Sequence, residues 1–124
     1  MKDFRDLKVW QKSYELTLTC YAATMSFPET EAFALVSEIR RSSSSIPASI
    51  ANGCGRGGSA ELIRSSKKAL RSANKLEHFL LMARNLNLLS KSDHEDLQSC
   101  VTQVKRLLGS LIVKLSRKRK RYTQ

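Results

Sequence analysis

The stretch IRRSSSSIPASIANGCGRGGS, residues 39–59, decides the fold because it allows two opposite interpretations. Gly53, Gly55 and Gly58 have the G-x-G-x-x-G spacing of a dinucleotide-binding turn. Such a turn holds a pyrophosphate only where a strand enters it and a helix leaves it. The character of the segment before Gly53 therefore decides between a nucleotide site and a simple connection.

The segment before Gly53 has the periodicity of a helix. Its apolar side chains are spaced 4, 7 and 4 residues apart, at Leu35, Ile39, Ile46 and Ile50. The small Ser42 and Ser43 fill the missing turn of this seam. A helix that enters the glycines excludes the dinucleotide turn, and we predict instead that Asn52 and Gly53 cap this helix.

Pro47 lies inside the same predicted helix, where it removes a backbone hydrogen bond and crowds the carbonyl group of Ser43. Because the apolar seam continues in phase on both sides, we predict that the helix is kinked at Pro47 rather than broken. A nearby serine hydroxyl is available to bond the freed carbonyl oxygen.

Three further segments also have helical spacing. The four predicted helices are residues 6–26, 30–52, 59–89 and 92–116. Ser59 is the predicted N-cap of the third helix, and Ser92-Asp93-His94-Glu95 matches a capping box at the start of the fourth. The pattern predicts an all-α, antiparallel, up-and-down four-helix bundle over residues 1–116. A basic C-terminal arm, residues 117–124, either continues the last helix or frays.

The predicted core consists of one apolar seam on each helix. The first helix contributes Val9, Trp10, Tyr14, Leu16, Cys20 and Tyr21, and the third contributes Leu62, Ala69, Ala73, Leu76, Leu80 and Ala83. The fourth contributes Leu97, Val101, Val104, Leu108, Leu111 and Leu115. Leu107, Ile112 and Val113 widen the apolar surface of the fourth helix, so a second buried face in an oligomer is an open alternative to simple exposure.

The composition fits one domain of 124 residues with 41% hydrophobic and 27% charged residues. No apolar run approaches the roughly 20 residues that span a bilayer, and residues 1–10 lack the apolar core of a secretory signal, so we expect a cytoplasmic protein without membrane contact. The three cysteines are widely spaced and form no C-x-x-C pair, which indicates reduced thiols rather than disulfides.

The charge is unusual because Lys and Arg number 22 against 11 acids, a net charge of +11. No acid follows Asp96, whereas the same segment contains Lys105, Arg106, Lys114, Arg117, Lys118, Arg119, Lys120 and Arg121. A second group follows one face of the third helix, at Arg64, Lys67, Lys68, Arg71 and Lys75. That group is either a solvated polar face or a phosphate-binding stripe, and Arg56 with the N–H groups near the start of the same helix is a weaker phosphate candidate.

Catalytic and metal-binding patterns are missing from the sequence. The serines at 42–45 have no neighbouring base, and Glu38, Glu61 and Glu77 lie beside cations as expected for solvated ion pairs. His78 and His94 have no second ligand at helical spacing. We therefore predict a protein that is not an enzyme and that uses no cofactor, metal or small-molecule substrate.

Several segments resemble a known bacterial family. FRDLKVWQKSYEL (4–16), FPETEAFALVSEIRRSSSSIPASIANGCGR (27–56) and LLMARNLNLLS (80–90) are similar to four-helix bundle proteins encoded in intervening sequences of large-subunit ribosomal RNA genes. The resemblance implies a ring-like homopentamer and no enzymatic activity. It also implies a distant similarity to accessory proteins of diversity-generating retroelements, which work beside a reverse transcriptase on nucleic acid. Lys67, Lys68 and Arg71 stand where the family is usually apolar or small, so this member is unusually basic.

The sequence leads to two hypotheses about function. The first is a non-enzymatic oligomeric bundle that binds RNA or DNA through phosphates, with the third-helix cations, Arg56 and the five consecutive cations Arg117, Lys118, Arg119, Lys120 and Arg121 as the contact residues. The second is a scaffold that recruits a partner protein through apolar helix faces.

Overall fold

The computed structural model describes residues 3–55 and 57–123, and for Glu31 and residues 121–123 it describes the backbone alone. A short 3₁₀ helix, Phe4–Asp6, precedes four α-helices: α1 Lys8–Thr24, α2 Glu29–Gly55, α3 Ser59–Asn85 and α4 Lys91–Thr123. No strand occurs in the described residues. Each helix packs on the next and α4 returns to α1, so the predicted four-helix bundle is confirmed.

The core follows the predicted seams on three of the four helices. Ile39, Ile46 and Ile50 are fully buried on α2, and so are the predicted alanines of α3. The α4 seam is buried from Leu97 to Leu108 and becomes half-buried beyond it. Burying a side chain of this size stabilises the fold by about 1.5–3 kcal/mol, so these seams provide most of the cohesion of the bundle.

On α1 the predicted seam is partly wrong. Tyr14 and Tyr21 are exposed, whereas three hydroxyl residues, Ser13, Thr17 and Thr24, are buried beside Val9, Leu16 and Cys20. Each hydroxyl donates to a carbonyl oxygen of its own helix over 2.8–3.0 Å, and Thr17 shares its single hydrogen between the carbonyl oxygens of Ser13 on α1 and Ser43 on α2, both 2.9 Å away. Because those bonds remove the cost of burying a polar group, small hydroxyl side chains can occupy core positions on α1.

Pro47 lies in an uninterrupted α2, which confirms that the helix does not break there. The kink itself stays a prediction. The carbonyl oxygen of Ser43, which Pro47 leaves without its helical N–H partner, accepts a hydrogen bond of 2.9 Å from the Thr17 hydroxyl on α1. The donor is therefore a residue of the neighbouring helix, because the serine hydroxyls at 42–45 all bond other carbonyl groups of α2.

The glycines after Pro47 do not cap the helix at the predicted place. α2 continues through Gly55, and Gly53 lies inside it against α3. A Cβ added to Gly53 would lie 2.5 Å from both Cβ and Oγ of Ser65, so glycine is what allows α2 and α3 to approach so closely. The left-handed residues are Gly57, at φ 72°, and Gly58, at φ 85°.

The start of α3 also differs from the prediction. Ser59 is the first residue of α3 and not its cap. The N-cap position is Gly58, which has no side chain to bond the first N–H groups. The G-x-G-x-x-G spacing therefore arises from one close helix contact and one turn, which are unrelated to nucleotide binding.

α3 ends at Asn85, before the predicted end, in a Schellman turn. Asn87 adopts a left-handed φ of 62°, and the N–H groups of Asn87 and Leu88 donate to the carbonyl oxygens of Arg84 and Ala83 over 3.1 and 2.9 Å. Asparagine tolerates this backbone conformation better than most residues. The turn reverses the chain into α4.

The cap of α4 is Ser90 rather than the predicted Ser92. The Ser90 hydroxyl accepts a 3.0 Å bond from the Asp93 N–H group, so α4 begins at Lys91. At its other end α4 continues through Thr123, past the predicted end at residue 116. Neither Gly nor Pro follows residue 116, and cations near a helix C-terminus complement the helix dipole, so the basic residues extend the helix.

Candidate nucleic-acid interface

The five cations of α3 form one continuous exposed surface, which we call the α3 row: Arg64, Lys67, Lys68, Arg71 and Lys75. They lie opposite the buried seam that contains Ala69, Ala73 and Leu76, so the predicted grouping on one face is confirmed. At about 1.5 Å per residue the row is about 16 Å long.

The α3 row has little internal compensation. Arg64 donates to Glu61 over 2.7 Å, and this is the one ion pair of the row among the described residues. Like charges at these helical spacings repel by a few tenths of a kcal/mol per pair. The row is therefore a concentrated positive surface that the fold tolerates without neutralising it.

The cations at the C-terminal end of α4 extend this positive surface. Arg117, Lys118, Arg119 and Lys120 are all exposed on the helix. The side chain of Arg121 and the whole of Arg56 lie outside the described residues, so their predicted roles stay predictions.

The structure adds two cations that sequence reasoning did not place at a site. Arg106 and Lys114 lie with Arg117 on the outer side of α4, opposite the buried Leu97–Leu108 seam. These cations line a wide, open depression on the outer face of α4 alone, which we call the α4 groove: Arg106, Gly109, Ser110, Val113, Lys114 and Arg117. Arg106, Lys114 and Arg117 recur at helical spacing in the sequence, and that spacing could have indicated their common face.

One polar cluster shows how α3 and α4 align. Glu77 on α3 accepts a hydrogen bond of 2.5 Å from Gln98 and one of 3.1 Å from Lys105, both on α4. These bonds, first the one from Gln98 and then the one from Lys105, lower the pKa of Glu77 below its ordinary value of 4.5. Because the helices are antiparallel, residues before Glu77 lie level with residues after Lys105, which places the α3 row beside the α4 groove.

The two ends of the bundle carry opposite charge. The basic end, where α3 begins and α4 finishes, contains the α3 row, the α4 groove and the last cations of α4. The acidic end, where α2 and α4 begin, exposes Glu29, Asp93, Glu95 and Asp96. Since acids near a helix N-terminus complement its dipole, the acidic end has a structural explanation.

Within the resembling segment 27–56, Arg40 and the Ser43 carbonyl that Pro47 frees contact α1, whereas Arg41 is exposed and pairs with Glu38. Arg40 donates to the Thr24 hydroxyl over 3.0 Å and to the Tyr21 carbonyl over 3.3 Å, and its guanidinium lies 4.7 Å from the centre of the Tyr21 ring. It thereby satisfies a carbonyl group near the end of α1. Together with the Thr17 bond beside Pro47, this gives the motif a role in helix pairing.

The other polar candidates of the sequence form no reactive site in the described residues. Burial raises the pKa of Cys20 to about 12, which keeps this thiol protonated, and burial also raises the pKa of Cys54. All three cysteines are free thiols. No group of three or more His, Cys, Asp or Glu side chains in the described part of the chain could hold a metal ion.

Exposed apolar residues concentrate on α1. Tyr14, Leu18 and Tyr21 lie at helical spacing on its outer side, and Met25, which directly follows the helix, is 78% exposed. Trp10 stacks on Tyr14 with ring centres 4.8 Å apart. None of the described helices is long and apolar enough to cross a membrane.

These features define an all-α four-helix bundle with one strongly basic end. The chain belongs to the family of 23S rRNA-intervening sequence proteins, whose family model matches residues 5–110. It is similar to a protein of unknown function from the S23 ribosomal protein family of Bacteroides thetaiotaomicron, which has a crystal structure. The two are 26% identical with a TM-score of 0.76, over 84% of this chain and 97% of that chain.

The family and structural matches confirm the resemblance that the sequence predicted. Neither description names a catalytic activity. No curated protein matches this sequence.

Proposed function

We propose that this protein is a non-enzymatic, oligomeric helical bundle of the cytoplasm that binds RNA or DNA through phosphate contacts at its basic end. The α3 row is the observation that carries this proposal. Its cations are exposed, mutually repulsive and, apart from Arg64, without an ion-pair partner among the described residues. A polyanion relieves this repulsion and releases condensed counterions when it binds.

The α3 row supports nucleic-acid binding more strongly than the C-terminal cations do. Cations in the last turns of α4 stabilise that helix by complementing its dipole, so they have a structural role of their own. Arg64, Lys67 and Lys68 lie in the N-terminal half of α3, where the dipole offers cations no stabilisation. Their concentration there is therefore better explained by an anionic ligand.

The proposed oligomer follows from the family resemblance and is a homopentamer. Five copies of a chain with net charge +11 carry a charge of about +55, which strongly favours a polyanionic ligand. The apolar outer side of α1, with Leu18 and Met25, is a surface that an oligomer could bury.

The proposal predicts that affinity falls steeply with salt. Filter binding of labelled RNA and DNA across a salt series should give a linear decrease of log affinity with log salt, with a slope of about −0.7 to −0.9 per phosphate contact. Deleting Arg117–Gln124 should weaken binding without unfolding the bundle, because the buried α4 seam ends at Leu108. A flat response to salt, or no binding at low salt, would contradict the proposal.

The alternative is a scaffold that recruits a partner protein through an apolar helix face. The exposed side chains of α1 favour it, because Tyr14, Tyr21 and Met25 are of the types that dominate protein interfaces. A specific protein partner that stays bound after nuclease treatment and in high salt, and that is lost in L18E, would favour the scaffold over nucleic-acid binding.

A further inference from the structure

The α4 groove is a positively charged surface that the sequence did not assign. Arg106, Lys114 and Arg117 are exposed around it, and Ser110 adds an exposed hydroxyl to its lining. Gly109 leaves the floor open, since nothing lies within 4 Å of the position that its Cβ would occupy. A shallow groove lined by three cations and a hydroxyl suits phosphodiester oxygens better than a neutral or cationic ligand.

The groove and the α3 row run side by side at the same level of the bundle. The bond between Glu77 and Lys105 marks that alignment, and it places the residues from Arg64 to Lys75 level with those from Arg106 to Arg117. Each set covers about 16 Å of its helix. Glu77 is the acid that lies between the two helices at the end of the α3 row. It is already bonded to Lys105 and Gln98, so it repels a bound phosphate only weakly.

The separation of the two rows distinguishes between a single strand and a duplex. Packed helix axes lie about 8–10 Å apart, and both rows point away from the shared core, so their charged ends are at least that far apart. The grooves that separate the two backbones of B-form DNA are about 6 and 12 Å wide, so rows at least about 8–10 Å apart are better placed to contact two backbones than one. One extended strand would follow one row and leave the other unused.

We propose that the α3 row and the α4 groove act as a pair and bind the two phosphate backbones of one nucleic-acid duplex. This inference rests on the proposed function and specifies the ligand class. One row contacts the phosphates of one strand and the other row contacts those of the second strand. The ligand is therefore a double-stranded nucleic acid, either RNA or DNA.

The test measures fluorescence anisotropy of a labelled duplex of about 20 base pairs, as DNA and as RNA, and of one strand alone. We expect the wild-type protein to bind a duplex more tightly than the single strand. The R106Q/K114Q variant should lower duplex affinity by about 30-fold at about 0.15 M salt and reduce the salt slope by about 2, because it removes two phosphate contacts. Single-strand binding should change much less.

The matched control is R84Q/K91Q, which removes two cations near the acidic end. It should leave duplex affinity within a few-fold of wild type, and circular dichroism should show all three proteins equally helical. Equal affinity for duplex and single strand, or equal effects of the two variants, would overturn the paired-row inference while binding itself stands. Failure of the wild-type protein to bind any of these probes would overturn the proposed function as well.

Discussion

The acidic and basic ends of the bundle are built on the same four helices but differ in what their charges do. At the acidic end, Glu29 and Asp93 lie in first helical turns, where they stabilise helix N-termini. At the basic end, Lys67 and Lys68 stabilise no helix end and repel their neighbours. Because the fold does not need this charge, we propose that the basic end serves a ligand, whereas the charges of the acidic end stabilise the helices.

The largest expected effect comes from neutralising part of the α3 row. K67Q/K68Q/R71Q should weaken nucleic-acid binding by more than about 100-fold at about 0.15 M salt, because three phosphate contacts are lost. The matched control R41Q/R84Q/K91Q removes the same charge outside the basic end. If both variants lose the same affinity in filter binding, net charge alone explains binding and the contrast between the ends fails.

The next largest effect is expected at Gly53, where α2 contacts α3 near the basic end. G53A should destabilise the bundle by about 1–3 kcal/mol, because its methyl group would overlap the Ser65 side chain. The same change at an open helical site, G109A, should stabilise the bundle by about 0.5–1 kcal/mol. Urea unfolding measures both values, and opposite signs are expected.

A second substitution tests whether G53A destabilises the bundle through steric overlap with Ser65 or through another effect. S65G removes the Cβ that the new methyl would meet, so G53A/S65G should cost less than the sum of the two single changes. Strict additivity would show that the close approach of α2 and α3 is not the cause.

A third prediction concerns Thr17, whose hydroxyl bonds the Ser43 carbonyl group that Pro47 leaves without a helical partner. T17V should destabilise the bundle by about 1–3 kcal/mol, because it leaves the buried Ser43 carbonyl group without a donor. In a P47A background the new N–H group can bond that carbonyl, so the cost of T17V should fall by about 1 kcal/mol. Thermal unfolding of the four proteins measures this coupling, and a coupling of zero would contradict the role given to Thr17.

The smallest effect is expected at the bond that marks the alignment of α3 with α4. The folded-state pKa of Glu77 is lowered, so its ionised form stabilises the fold above its unfolded pKa, and that stabilisation is lost as pH falls through the folded value. Because Glu77 is about one third exposed, E77Q should cost less than about 1 kcal/mol at pH 7. The difference from wild type should shrink steadily as the pH falls below the ordinary value of 4.5, and a difference that does not change with pH would contradict the ionic contribution.

The sequence predicted most of the architecture because three helices bury continuous apolar seams. Ile39, Ile46 and Ile50 repeat at helical spacing, so both the helix and its buried face follow from the sequence alone. The α1 seam was harder to predict because it contains the polar residues Ser13 and Thr17. Their hydroxyl groups can be buried only because they bond backbone carbonyl groups.

The candidate site was predictable only where it lies on one helix. The α3 row follows from the spacing of its cations, whereas Arg106 and Lys114 contributed to the predicted charge without being assigned to a surface. Their position beside the α3 row depends on the alignment that Glu77 and Lys105 mark across two helices. Helical spacing within one segment contains no information about that alignment.

Lysine acetylation with and without bound nucleic acid tests most directly whether the basic end is the binding surface. If nucleic acid binds at the basic end, Lys67, Lys68, Lys75 and Lys114 should become protected, while Lys91 at the acidic end should react at an unchanged rate. Mass spectrometry of each modified lysine provides this comparison within one sample. Protection of Lys91 equal to that of Lys68, or no protection of the α3 row in a saturated complex, would contradict the account.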